Sequence, residues 1–116
     1  MAPLQWVRLD VTMPRNLKIL ALLKMRNGGH TAFVYTCSLA LAGEVGKDGF
    51  ISDMSLPFIH AKPSDVKRLV DVGLWREAPG GWQINDWLDY QPTAEQAEKR
   101  SHKARMAANK RWEMEA

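Results

Sequence analysis

Residues Thr31 to Ala42 read TAFVYTCSLALA, a run that is apolar on nearly every face of a helix. A surface helix keeps one polar face, so a helix without one belongs at the centre of a soluble fold with its neighbours packed around it. The whole chain has 116 residues, enough for one core that removes roughly two thirds of the unfolded surface from water. That size argues against a large cofactor enzyme. Nothing approaches ~18 consecutive apolar residues, and Met1-Ala2-Pro3-Leu4-Gln5 has neither the basic nor the apolar region of a secretory leader, so the expectation is a cytoplasmic protein with no membrane partner. The single cysteine, Cys37, lies inside the apolar run. It excludes a disulfide framework within the chain and a multi-cysteine metal site, and is expected in the core.

Around this centre the pattern changes segment by segment. Trp6-Val7-Arg8-Leu9-Asp10-Val11 alternates apolar and polar residues and predicts a short strand or extended segment. Pro14 permits a helix start, and Leu17, Leu20 and Leu23 with Ile19 predict its apolar stripe, ending at Asn27-Gly28-Gly29. The central helix is expected to stop at Gly43. Gly49-Phe50-Ile51-Ser52 predicts a short strand, and a short helix follows, capped by Asp53 or Ser55 with Pro57 near its first turn. Val66, Leu69, Val70 and Leu74 recur at helical spacing and predict a helix from Ser64 to Val72, closed by Gly73. Two alternating segments, Leu74–Glu77 and Trp82–Asn85, flank Ala78-Pro79-Gly80-Gly81 and predict a β-hairpin. Beyond Gln91-Pro92 the chain is rich in Ala, Glu, Lys and Arg with only a thin apolar stripe, and reads as a basic tail, helical or disordered.

Charge is distributed unevenly. The net charge is +3, but Met1–Gly43 carries +4, Glu44–Glu98 has five basic and ten acidic residues, and Lys99–Ala116 carries +4. Mild basicity alone points weakly to nucleic acid. The concentration of cations at the two ends says more.

Short strand, short helix, tight turn, second helix and β-hairpin, in that order, is the layout of a winged helix-turn-helix, in which the helix before the hairpin reads DNA. The expected fold is therefore α+β and mostly helical, with a winged helix-turn-helix over residues 3–92, a small β-hairpin wing, and the tail over 93–116. Asp48-Gly49-Phe50-Ile51, Val72-Gly73-Leu74-Trp75 and Gly81-Trp82-Gln83-Ile84-Asn85-Asp86-Trp87 resemble the winged-helix module of phage and actinobacterial replication proteins, a group related to DnaD-like replisome organisers. Asp89-Tyr90-Gln91-Pro92-Thr93 and the basic tail are similar to that group too. The likeness is strongest over about forty residues. It implies a bacteriophage protein of the bacterial host cytoplasm, acting in DNA replication initiation or in control of phage gene expression.

On a reading helix, Ser64, Lys67 and Arg68 are expected to face outward with Asp71. Arg68 suits base recognition, because a guanidinium can donate two hydrogen bonds to guanine, while Lys67 suits phosphate. Ser64 and the adjacent helix N-terminus suit phosphate as well. The same residues are equally what an ordinary solvated face presents, and Asp65 and Asp71 are expected to repel phosphate. The wing offers Arg76 beside Glu77. The tail offers Lys99, Arg100, Lys103, Arg105, Lys110 and Arg111 with no acid between them, and Lys99, Lys103 and Lys110 share one helical face. That is the strongest nucleic-acid feature of the chain, fit for sequence-indifferent, salt-dependent contacts to double-stranded DNA, with Trp112 available to stack on a single-stranded base. Arg15, Lys18 and Lys24 add a second basic surface.

His30, His60 and His102 fall in separate elements, no nucleophile is paired with a base, and no phosphate-cradling glycine loop is present. The expectation is a non-enzyme with no cofactor and no metal. The rival to DNA binding is a protein-interaction module whose acidic middle and tryptophans dock on a host or replisome protein, with inhibition of that protein as one outcome. A homo-oligomer is compatible with both.

Overall fold

The computed structural model describes residues 3–91 and 94–115, the side chains of 94, 95, 97, 101 and 111–115 excepted. It is an α+β fold in which the central helix, α2 (Gly28–Val45), is contacted by a helix before it, α1 (Leu17–Leu23), by the strand β1 (Phe50–Ser52), by a 3-10 segment over Asp53–Ile59 and by α3 (Pro63–Asp71). Its placement follows from its composition: Val34, Leu39 and Ala42 are buried, and so are Thr31 and Ser38. Cys37 is half-buried against the core.

A three-stranded antiparallel sheet closes the other side, in the order β1-β3-β2, with β2 over Trp75–Ala78 and β3 over Gly81–Ile84. The hairpin register pairs Trp75 with Ile84 and Ala78 with Gly81, leaving Pro79-Gly80 as the turn. Proline presets φ at the first central position, and Gly80 takes the positive φ of 82° that the second requires. Ile51, Trp75 and Ile84 drive the sheet's inner face into the core, where Val66 and Leu69 of α3, Leu22 of α1, Ile59 and Trp87 meet them. α4 (Trp87–Tyr90) is a single turn, and α5 (Ala94–Glu115) is a helix of 22 residues, about 33 Å long at 1.5 Å per residue. The radius of gyration is 17.0 Å, against about 13 Å for a compact domain of this length, because α5 projects from the body.

Five local expectations are corrected or narrowed. Of the two alternatives for Trp6–Val11 the strand is excluded: the segment joins no sheet, Val7 packs at Gly43 of α2, and just before it the Leu4 N–H donates to the Gly43 carbonyl at 2.8 Å. Gly43 does not stop α2 but lies buried within it, where a Cβ would stand 2.5 Å from Val7 Cγ1, and Gly46 ends the helix at φ 74°. In α1 the buried residues are Ile19 and Leu22, while Leu17, Leu20 and Leu23 are exposed. The cause is the starting point: Pro14 sits in a separate 3-10 turn, and the Asn16 side chain caps α1 by accepting from Lys18 N and Ile19 N, so the helix is short and turned differently.

The loop into α2 uses its residues differently from the expected glycine cap. Asn27 takes the left-handed conformation, at φ 60°, and Gly28 is needed for space, since a Cβ there would lie 1.8 Å from the Leu22 carbonyl oxygen. Finally, Asp53–Ile59 is 3-10 rather than α-helical, with Pro57 inside it, and no side chain caps its start. A proline at that position cannot donate the backbone hydrogen bond an α-helix would need.

Candidate nucleic-acid interface

The residues expected on the reading helix separate into two groups. Ser64, Lys67 and Asp71 are exposed on α3. Arg68 is not a free outward residue: its side chain is 20% exposed, and Nη1 donates to Thr31 Oγ1 at 3.1 Å and to Asp65 Oδ1 at 3.3 Å. Its orientation follows from Asp65, which is 1% exposed and lies three residues earlier, one helical turn away. A buried carboxylate must be paired, and the nearest guanidinium is drawn inward to do it. The same buried position removes Asp65 from any encounter with phosphate.

Asp65 is the centre of a polar cluster that sequence inspection did not assemble. Its carboxylate accepts from Thr31 Oγ1 at 2.6 Å and from the Lys62 backbone N–H at 2.9 Å, and stands 3.1 Å from His30 Nδ1. Burial acts to raise the Asp65 pKa, but the bonds from Thr31, Lys62 and His30 outweigh it and hold the carboxyl below its ordinary value. Acid at the third position after Lys62, with Pro63 between them, is a helix-capping signal legible in the sequence. The partnership with His30 and Thr31, across more than thirty residues, is not.

The hairpin contributes little charge. Arg76 is exposed but donates to Asn85 Oδ1 at 3.2 Å, Glu77 beside it is exposed, and the Pro79-Gly80 tip carries no cation. Of the second basic surface, Arg15 and Lys24 are exposed, whereas Lys18 is half-buried and donates to the Gly73 carbonyl at 3.0 Å.

The charge is on α5. Lys99, Arg100, Lys103, Arg105 and Lys110 are all exposed on this helix, and at 3.6 residues per turn Lys99, Lys103 and Lys110 fall within about 40° of one another. The Arg111 and Trp112 side chains lie outside the described residues. Unlike the cations of α3 and β2, those of α5 sit on an element that projects from the body. From Lys99 to Lys110 they form a rod of positive charge about 16 Å long, which matches about five base-pair steps.

Among the described residues no group of three His, Cys, Asp or Glu side chains is placed to hold a metal ion, and no helix is long and apolar enough to cross a membrane. A shallow cavity between residues 8–16, α1, α2 and α4 was not anticipated. Its walls also take in Leu74 and Ile84–Asp86, so they come from several separate segments, and no local pattern announces it. Comparison with protein-family models, with curated proteins and with solved structures found no match.

Proposed function

We propose that residues 3–92 are a winged helix-turn-helix with β2–β3 as its wing, and that the chain binds DNA chiefly through α5. The observation that carries this reading is the exposure of five cations along a projecting helix in a segment, Lys99 to Arg111, that contains no acid. The order helix, strand, short helix, helix and hairpin, with the sheet order β1-β3-β2, supports the winged-helix assignment. Contacts of this type go to phosphate, so affinity is largely independent of sequence and falls steeply with salt. Ser64 and Lys67 add contacts at the α3 N-terminus. Arg68, occupied by Asp65, serves the packing of α3 instead of reading bases. The resemblance of Asp48–Ile51, Val72–Trp75 and Gly81–Trp87 to phage replication modules supports a role in replication initiation or in control of phage gene expression.

The test is fluorescence anisotropy with random duplex and single-stranded oligonucleotides over a salt series. Steep salt dependence that becomes shallower when Arg100, Lys103 and Lys110 become Gln supports the reading, and absence of binding at low salt overturns it. In the second case a protein-docking role takes precedence, favoured by the exposure of Trp6, Val11, Leu17, Phe58 and Leu88.

A further inference from the structure

The cavity beside the N-terminal segment has a volume of about 80 Å³, several times the space needed to hold one water. Three aromatic residues line it, Tyr35 from α2 and Trp87 and Tyr90 from α4, together with two carboxylates, Asp10 and Asp86. Aromatic faces carry negative charge density, and a desolvated cation gains from both the rings and a nearby carboxylate. We propose that this cavity is a binding site for a small organic cation, an alkylammonium group.

The electrostatics of the wall favour that class of ligand over a neutral one. Asp10 accepts from the Thr12 hydroxyl and from the Thr12 N–H at 2.7 Å, which lowers its pKa and keeps it ionised. The Tyr35 phenol is pushed the other way, first by burial and then by the proximity of Asp86 and Tyr90. Burial opposes charge of either sign, but the part of the shift that comes from Asp86 marks a negative potential at the cavity wall, and that potential favours a cation. Two cations stand near the site. Lys18 Nζ donates to the Gly73 carbonyl at 3.0 Å and forms an ion pair with Asp86 at 4.0 Å, so a bound cation shares this carboxylate with it. Arg8, the cation of the wall, has an exposed side chain, and its backbone N–H and carbonyl are both held by the Gln91 amide.

The site is independent of the nucleic-acid reading and is tested with no DNA present. The full chain is titrated with tetramethylammonium chloride against sodium chloride of equal ionic strength, and separately with tert-butanol, an uncharged molecule of similar shape. The indole N–H of Trp87, which has no partner among the described residues, is followed by NMR. The expected result is a saturable shift with tetramethylammonium and binding of tert-butanol about tenfold weaker or less. Asp86→Asn is expected to weaken tetramethylammonium about threefold or more. Asp86 adopts φ 61°, a conformation asparagine tolerates, so the variant should fold. Tyr90→Leu, at a residue 47% exposed, gives a second variant that removes one ring. Equal binding of tert-butanol, no saturable shift, or native affinity in both variants overturns the proposal.

Discussion

Asp65 and Thr31, 34 residues apart, share a hydrogen bond of 2.6 Å that joins the first turn of α3 to the first turns of the central helix. Because Arg68 and the Lys62 N–H converge on the same carboxylate, removing it leaves several donors without an acceptor. Asp65→Ala is expected to cost about 2–4 kcal/mol, measured as a lower midpoint in chemical denaturation. A loss below about 0.5 kcal/mol, the size expected of a surface substitution, would show that the cluster does not hold α3.

The same cluster makes stability depend on pH. The Asp65 carboxyl is held below its ordinary value in the folded chain, the bonds from Thr31, Lys62 and His30 outweighing the cost of burial. A group of this sign contributes its stability in full above its unfolded pKa of about 4 and loses it as pH falls through the lower folded value. Between pH 5 and the acid limit, the native chain should therefore lose more thermal stability than Asp65→Asn. Parallel acid profiles for the two proteins would sink this assignment.

Arg68 illustrates where sequence reasoning stopped. Helical spacing correctly made Val66 and Leu69 buried and Ser64 and Lys67 exposed, but periodicity assigns a face and not a partner. Asp65, three residues earlier, turned the guanidinium toward α2. On the geometry, Arg68→Ala is expected to cost about 1–2 kcal/mol in stability while leaving the ratio of affinities for different DNA sequences unchanged. A selective loss on one sequence would return Arg68 to base recognition.

Elements with local causes were legible. The hairpin follows from Pro79-Gly80 between alternating segments, α3 from its spacing, and the burial of α2 from its uniform apolarity. What was not legible depends on contacts between distant residues. The alternation in Trp6–Val11 has the period of a strand, yet Arg8 finds its backbone partners in one side chain: Gln91 Oε1 accepts from Arg8 N at 2.8 Å, and Gln91 Nε2 donates to Arg8 O at 2.7 Å. A single amide takes the place of a neighbouring strand, and nothing local to either segment encodes that. The candidate interface divides in the same way, since the run of cations on α5 is visible in composition and the Asp65 cluster is not.

The Gln91 clasp carries its own prediction. Gln91 is 5% exposed, so its replacement by Ala leaves the Arg8 N–H and carbonyl unpaired in a partly buried place. Gln91→Ala is expected to speed amide exchange at Arg8 by about tenfold, corresponding to the roughly 1.4 kcal/mol scale of a lost hydrogen-bonded pair. Exchange across α2 and α3 should be little changed. A uniform increase across the chain would mean that the clasp supports the whole core and not the N-terminal segment.

The reading of α5 as the DNA-binding element has a quantitative consequence. Each phosphate neutralised by a cation releases condensed counterions, and the logarithm of affinity falls with the logarithm of salt by about 0.9 per contact on duplex DNA. Neutralising Arg100, Lys103 and Lys110 together should reduce that slope by up to about 3 and weaken binding to every duplex sequence alike. Lys67→Gln, on α3, should reduce it by about 1 or less. These side chains are exposed, so the variants should keep the native midpoint of unfolding, and a change in binding reports on the interface and not on the fold. If Lys67→Gln removes more of the slope than the three changes on α5, then the face of α3 carries the phosphate contacts, and α5 must be assigned another role.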